Sequence, residues 1–185
     1  MVKTLSDYGK LKKGSPAPEF SLKGTDGKIH KLSSYAGKKG YLVIFMCNHC
    51  PFVKPKMGYI AELAGKYGKD IQVFGINAND QNEYPEDDFE TMKKVANEKG
   101  FSFPYLADET QEIAKSYGAS CTPDPFLFDA GKKLAYHGRF DDAHGEAHSK
   151  GKTSEMEAAM KELIETGKVT IQEMPSLGCN IKWKR

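Results

Sequence analysis

Tyr41-Leu42-Val43-Ile44-Phe45-Met46-Cys47-Asn48-His49-Cys50-Pro51 is the stretch on which the reading of this chain turns. Six apolar residues in a row predict a strand over 41–46 that is buried on both faces. Val53, Met57, Ile60, Ala64 and Tyr67 then recur at helical spacing, and Gly65 or Gly68 closes the pattern. Cys47 and Cys50 therefore stand where a buried strand hands over to a helix. A helix N-terminus carries partial positive charge and unpaired N–H groups. Both favour a thiolate, the nucleophilic form of cysteine. A Cys-x-x-Cys pair at such a turn points to redox chemistry.

Working outward, residues 1–19 form a polar lead-in punctuated by Gly and Pro. Phe20-Ser21-Leu22 and Ile29-His30-Lys31-Leu32 flank Gly24-Thr25-Asp26-Gly27, a hairpin signal. Residues 71–76 read as the next strand. A second helix is expected over 85–99, with Phe89, Met92, Val95 and Ala96 inward, Pro85 in its first turn, and Glu86, Asp87 and Asp88 at its positive end. A short helix follows near 110–117. Phe126-Leu127-Phe128 and Leu134-Ala135-Tyr136 form a second hairpin around Asp129-Ala130-Gly131-Lys132. The last helix is expected over 154–166, with Ser154 and Glu157 as a capping pair and Gly167 as its stop. The stretch 141–153 reads as a linker.

A helix between the first two core strands implies a right-handed parallel crossover. The later hairpin adds antiparallel strands. The expected architecture is α/β, a mixed central sheet with helices on both faces. Residues 1–185 are expected to form a single domain, with a core over about 14–140 and a C-terminal helix and tail over 141–185.

The chain has 185 residues, 39 % hydrophobic and 28 % charged, with a formal net charge of +2. That balance suits a globular domain and is too weak to argue for nucleic acid or a membrane surface as partner. Residues 1–15 carry no signal-peptide pattern, and the longest apolar run falls short of the ~18 residues of a membrane span. The expected location is cytoplasmic, with an exported form trimmed to this start as the alternative. Four cysteines in a chain this long do not make a disulfide scaffold.

Of the pair, Cys47 is expected to be the more exposed, to have a lowered pKa and to attack first. Cys50, one turn in, then resolves the mixed disulfide. A cationic His49 would stabilise the thiolate, and Lys54 and Lys56 add positive charge. Cys121-Thr122-Pro123-Asp124-Pro125 leads directly into the strand at 126, and its X-Pro bonds are candidates for the cis form. Cys121 and Cys179 are auxiliary redox candidates, although Cys121 reads rather as a small apolar filler, since free Cys is commonly buried. Half a zinc site at Cys47 and Cys50 is a weaker reading, because Cys121 and Cys179 form no second close pair. His137, His144 and His148 read as surface residues. Asp141, Asp142, His144, Glu146 and His148 read as a solvated loop rather than as metal ligands. No cofactor is expected.

These motifs together resemble the thioredoxin-like redoxins of the alkyl hydroperoxide reductase/thiol-specific antioxidant group. The resemblance rests on Gly14-Ser15-Pro16-Ala17-Pro18-Glu19-Phe20-Ser21-Leu22, the strand entering Cys47-Asn48-His49-Cys50, Thr122-Pro123 before a strand, and Gly138-Arg139. It covers about residues 14–140, and the Gly178–Trp183 tail looks like that of one subgroup. It implies a thioredoxin fold with an N-terminal β-hairpin extension, a cis Thr122–Pro123 bond beside the pair, and Cys121 nearby. Two departures stand out: Met46 and Asn48-His49 replace the Trp and Gly-Pro of thioredoxins, and no acidic residue lies within 41–46 to accept a proton from Cys50. The expected function is thiol–disulfide exchange with a protein disulfide or dithiol and a thiol reductant. The first alternative is a peroxiredoxin-like reduction of hydroperoxides through Cys50. In that alignment Cys47 replaces the peroxide-binding Thr, Arg139 supplies charge, and Cys121 or Cys179 resolves. The second is a non-enzymatic zinc or adaptor protein.

Overall fold

The apolar run becomes the middle of the sheet. In the computed structural model, which describes residues 2–185, the strands are β1 (Lys3–Leu5), β2 (Ser21–Gly24), β3 (Ile29–Lys31), β4 (Gly40–Phe45), β5 (Ile71–Asn77), β6 (Tyr105–Ala107), β7 (Cys121–Thr122), β8 (Asp124–Asp129), β9 (Leu134–His137) and β10 (Leu177–Asn180). The helices are α1 (Met57–Tyr67), α2 (Phe89–Glu98), α3 (Glu112–Tyr117) and α4 (Glu155–Thr166). Seven strands form one mixed sheet in the order β3-β2-β6-β5-β4-β8-β9. β4, β5 and β6 are parallel, and β2, β3, β8 and β9 add antiparallel flanks. No helix among the described residues is long and apolar enough to cross a membrane.

Side chains alternate across a strand, so β4 feeds two cores. Leu42 and Ile44 pack with Met57, Ile60 and Leu63 of α1 and with Met156, Met160 and Leu163 of α4. Tyr41, Val43 and Phe45 face the opposite layer, with Phe74, Phe126, Phe128 and Tyr117 of α3. Phe45 meets Tyr117 and Phe126 edge-on at 5.3 and 5.9 Å, the arrangement aromatic quadrupoles favour.

Several expectations change. The three-residue strand β6 joins the N-terminal hairpin to the sheet and was not foreseen. α1 becomes regular only at Met57, because Pro55 has no N–H to donate back to residue 51. Of the acidic trio before α2, Asp88 caps the helix by accepting from Thr91 N–H at 2.7 Å, whereas Asp87 turns elsewhere. Ser154 makes no side-chain cap, and Glu157 instead accepts from Tyr67 at 2.6 Å and Lys66 at 2.8 Å. The stretch 141–153 is pinned at buried Asp141, which takes Lys56 Nζ and His148 Nδ1, and His148 stacks on Tyr59 at 3.6 Å. His137 is fully buried rather than at the surface, stacked on Phe126 and bonded to Asp124. Only His144 of the three is exposed.

The two chain ends make a second sheet, β1-β10-β7, antiparallel throughout. β10 is its middle strand. Leu177–Asn180 therefore crosses over Cys121–Thr122, with Cys179 opposite Thr122. The crossing is so close at Gly178 that a Cβ there would overlap the Thr122 carbonyl. Gly178→Val is accordingly expected to cost about 1–3 kcal/mol by overpacking. Residues 177–183 should become protease-sensitive while the seven-stranded sheet stays intact. Urea unfolding and limited proteolysis measure this, and an unchanged digestion pattern would contradict the close crossing.

Candidate active site

Cys50 starts the helical turn that leads into α1. Its carbonyl accepts from Val53 and Lys54, both at 3.0 Å, and its sulfur accepts from Phe52 N–H at 3.4 Å. This is the geometry of an N-cap, with Pro51 at the first helical position, where its missing N–H costs nothing. The cap points the Cys50 sulfur at β7, where Thr122 O lies 3.2 Å away. Cys47 Sγ lies 3.6 Å from Thr122 Oγ1. The Thr122–Pro123 bond is cis, so Cys47, Cys50 and the Pro123 loop come together as the family resemblance implied.

That loop is clamped from behind. Asp124, fully buried, accepts from Ser6 Oγ and His137 Nε2 at 2.8 Å each and from Ser120 N–H at 3.2 Å. Ser176 Oγ donates to Pro123 O at 2.6 Å. Cys121 faces away from the pair, toward the carbonyls of Pro123 and Ser176. Burial and the charge of Asp124 push its thiol far up, which suits the small-filler reading.

The acid absent from 41–46 is supplied by Asp87, in the loop after β5. One carboxylate oxygen accepts from Asn48 N–H at 2.7 Å and His49 N–H at 3.2 Å. The other accepts from His49 Nδ1 at 2.5 Å and Asn79 Nδ2 at 2.8 Å. A carboxylate can only accept, so His49 carries its proton on Nδ1. His49 Nε2 is buried without a hydrogen-bond partner, and the ring stacks on Tyr84 at 4.9 Å. Burial alone would raise the Asp87 pKa, but the hydrogen bonds from His49 and Asn79 outweigh it, and the carboxyl lies below its usual range. Asn48 is held in turn by Glu86 O and by the Tyr105 hydroxyl of β6.

The ionisation of the pair runs opposite to expectation. Both cysteines are at most 1 % exposed, so Cys47 is not the accessible partner. Burial, the shared hydrogen bond with Cys50 and the charge of Asp87 push the Cys47 thiol well above its ordinary value. The Cys47 thiol directed at Cys50 draws the latter down to about 4 against its burial, with help from Thr122 and from the thiol and backbone N–H of Cys179. Cys50 is the sulfur that holds the negative charge. Cys179 is itself buried and pushed up to about 12, by burial first and then by its hydrogen bond to Cys50. Lys54 is exposed, and buried Lys56 is committed to Asp141. Arg139 spends its guanidinium on Glu155 Oε1, at 3.0 and 2.6 Å, so Lys56 and Arg139 are both committed to carboxylates away from the Cys47/Cys50 pair.

Cys47 Sγ, a ring nitrogen of His49 and a carboxylate oxygen of Asp87 lie within 4.8 Å of one another. This trio, rather than the Cys47/Cys50 half-site considered from sequence, is the set that could hold a borderline-soft cation. The His49–Asp87 hydrogen bond already ties up Nδ1 and one carboxylate oxygen.

The redoxin family model matches residues 12–159. Thiol-disulfide oxidoreductase ResA of Geobacillus thermodenitrificans is 30 % identical over 122 residues, 65 % of this chain and 66 % of that protein. The match thus spans about two thirds of that relative. Chloroplastic peroxiredoxin Q of Triticum aestivum is 31 % identical over 111 residues, 60 % of this chain and 48 % of that one. The crystal structure of an uncharacterised conserved protein from Geobacillus kaustophilus superposes with a TM-score of 0.91 at 41 % identity, over 100 % of this chain and 97 % of that one. The thioredoxin domain of a Bacteroides vulgatus thiol-disulfide oxidoreductase gives a TM-score of 0.58 at 21 % identity, over 69 % of this chain and 88 % of that one. It shares the fold. From a sulfur pair on a strand–helix turn, a cis-proline loop facing it, and a family match over most of the length, it follows that this chain belongs to the redoxin family.

Proposed function

We propose that this redoxin is a thiol–disulfide oxidoreductase in which Cys47 and Cys50 cycle between dithiol and disulfide. The observation that carries the reading is the pair itself: two cysteine sulfurs on one turn, each in contact with Thr122 beside the cis Pro123 bond. The Cys50 thiolate attacks one sulfur of a substrate disulfide, a mixed disulfide forms, and the first substrate thiolate leaves. The Cys47 thiol then gives its proton to His49, a ring nitrogen of which lies within 4.8 Å of Cys47 Sγ and whose Nε2 lone pair makes no hydrogen bond. Asp87 stabilises the imidazolium through Nδ1. The Cys47 thiolate attacks Cys50 Sγ and the second substrate thiolate departs, carrying away the remaining electron pair. A thiol reductant restores the dithiol. His49 is thus a general base for the second step rather than a cation that primes the first.

The peroxiredoxin-like reading draws on the same low Cys50 pKa and on the likeness to peroxiredoxin Q. Against it, Arg139 is paired with Glu155, leaving no guanidinium to polarise a peroxide.

Reduced protein mixed with a protein disulfide and, separately, with hydrogen peroxide is expected to react faster with the disulfide. A peroxide rate higher by orders of magnitude would overturn the proposal. Cys50→Ser is expected to abolish exchange and the thiolate absorbance near 240 nm that persists until the pH falls through about 4. Cys47→Ser combined with Cys179→Ser, which leaves no neighbouring thiol to resolve it, should instead trap the mixed disulfide at Cys50. The reverse pattern would restore Cys47 as the attacking thiol.

Asp87→Asn is expected to leave the first attack intact and slow resolution of the mixed disulfide on the order of 10²-fold, the scale of a misplaced general base, as read by quench and mass spectrometry. The same variant bears on acid stability. Because the folded-state pKa of Asp87 is lowered, its contribution is present above the unfolded value of about 3.9 and is lost as pH falls through the lower folded value. The wild type should therefore show an acid-unfolding step that Asp87→Asn weakens.

A further inference from the structure

The proposed cycle uses two sulfurs, yet a third stands against them. Thr122 turns its side chain toward Cys47. Cys179 is directly opposite Thr122 in the antiparallel β7–β10 pair, and directly opposed residues project their side chains to the same face. Strand geometry alone therefore sends the Cys179 side chain to the side where the Cys-x-x-Cys turn lies. Its thiol and backbone N–H both reach the Cys50 sulfur, and Cys47, Cys50 and Cys179 share one buried cluster. Cys121, next along β7, projects to the other face and is excluded by the same alternation.

We propose that Cys179 is a third redox thiol that takes over the disulfide from Cys47 and so latches the C-terminal strand onto Cys50. This rests on the proposed dithiol–disulfide cycle and extends it by one step. The Cys179 thiol loses its proton and its thiolate attacks Cys50 Sγ in the Cys47–Cys50 disulfide. The Cys50–Cys179 bond forms as the Cys47–Cys50 bond breaks. Cys47 leaves as a thiolate and takes up a proton. One disulfide is present before and after, so no external oxidant or reductant is consumed. The outcome is a free Cys47 beside His49, and β10 covalently held across the mouth of the site. Cys179 thus occupies the place an incoming substrate sulfur must take, and β10 must lift for a substrate disulfide to reach Cys50.

The test uses the full chain carrying Cys47→Ser, oxidised with diamide, blocked, digested and mapped by mass spectrometry. The expected result is a Cys50–Cys179 linked peptide and the loss of two thiols per chain, while Cys121 remains alkylatable. Adding Cys179→Ser should abolish that loss. If Cys179 stays alkylatable in oxidised Cys47→Ser while the wild type closes its Cys47–Cys50 bond, the role of Cys179 is overturned and the dithiol cycle stands. If the wild type forms neither linkage, the cycle itself fails. A second arm keeps every sulfur in place. Oxidised wild type, allowed to equilibrate, should hold some Cys50–Cys179 disulfide, and Gly178→Val should lower that fraction roughly tenfold by removing the tail from its high effective concentration. Equal fractions in the two proteins would also refute the proposal.

Discussion

A single buried carboxylate sets the shape of the redox turn. An isolated ionised carboxylate is very costly to bury, and Asp87 is tolerated only because four donors fill its oxygens. Three of those donors belong to Asn48 and His49, the two residues between the cysteines. Satisfying Asp87 therefore dictates the backbone path from Cys47 to Cys50 and the orientation of the imidazole. The sheet topology makes the meeting possible. β4 and β5 are parallel neighbours, so the loops leaving their C-terminal ends emerge at the same edge, where α/β sheets gather their chemistry. Asn77 and Asn79, at the end of β5 and just beyond it, brace Asp87 from behind.

What the sequence reveals and what it hides divides along the range of the interactions. The run 41–46, the crossover helix and the two hairpins are written in local periodicity, and each is present. Cys47, Cys50 and Pro123 were legible as a group through motif and family resemblance. β1, β7 and β10 were not, because strands of two to four residues with mixed polarity carry no local signal; β1 and β10 pair across almost the whole chain. Asp87 was hidden by ambiguity. An acid before a helix is explained equally well as a dipole partner, and Asp88 does fill that role. The clue available was the gap: a Cys-x-x-Cys strand without its acid, and three consecutive acids at 86–88 when one would suffice for a cap.

The reversal of the expected thiol order has the same origin. From sequence, the first cysteine of the pair is the one nearer solvent. Here β10 roofs the turn, and both sulfurs are buried. Once exposure no longer separates them, hydrogen bonds decide. Cys50 receives a backbone N–H and faces two thiols, whereas Cys47 sits near the negative charge of Asp87. The contact between the two thiols of the motif decides first which sulfur carries charge, and the tail's Cys179 reinforces it.

The position of β10 also imposes an order on synthesis. It is the middle strand of its sheet, and both its neighbours, β1 at Lys3–Leu5 and β7 at Cys121–Thr122, are translated long before it. The chain emerges with Cys47 and Cys50 already present and their roof not yet made. The N-terminal strand has no partner until Leu177–Asn180 leaves the ribosome. Until Leu177–Asn180 has been made, the nascent polypeptide thus displays an open thiol pair, and the strand that seals the site is the last of its sheet to appear.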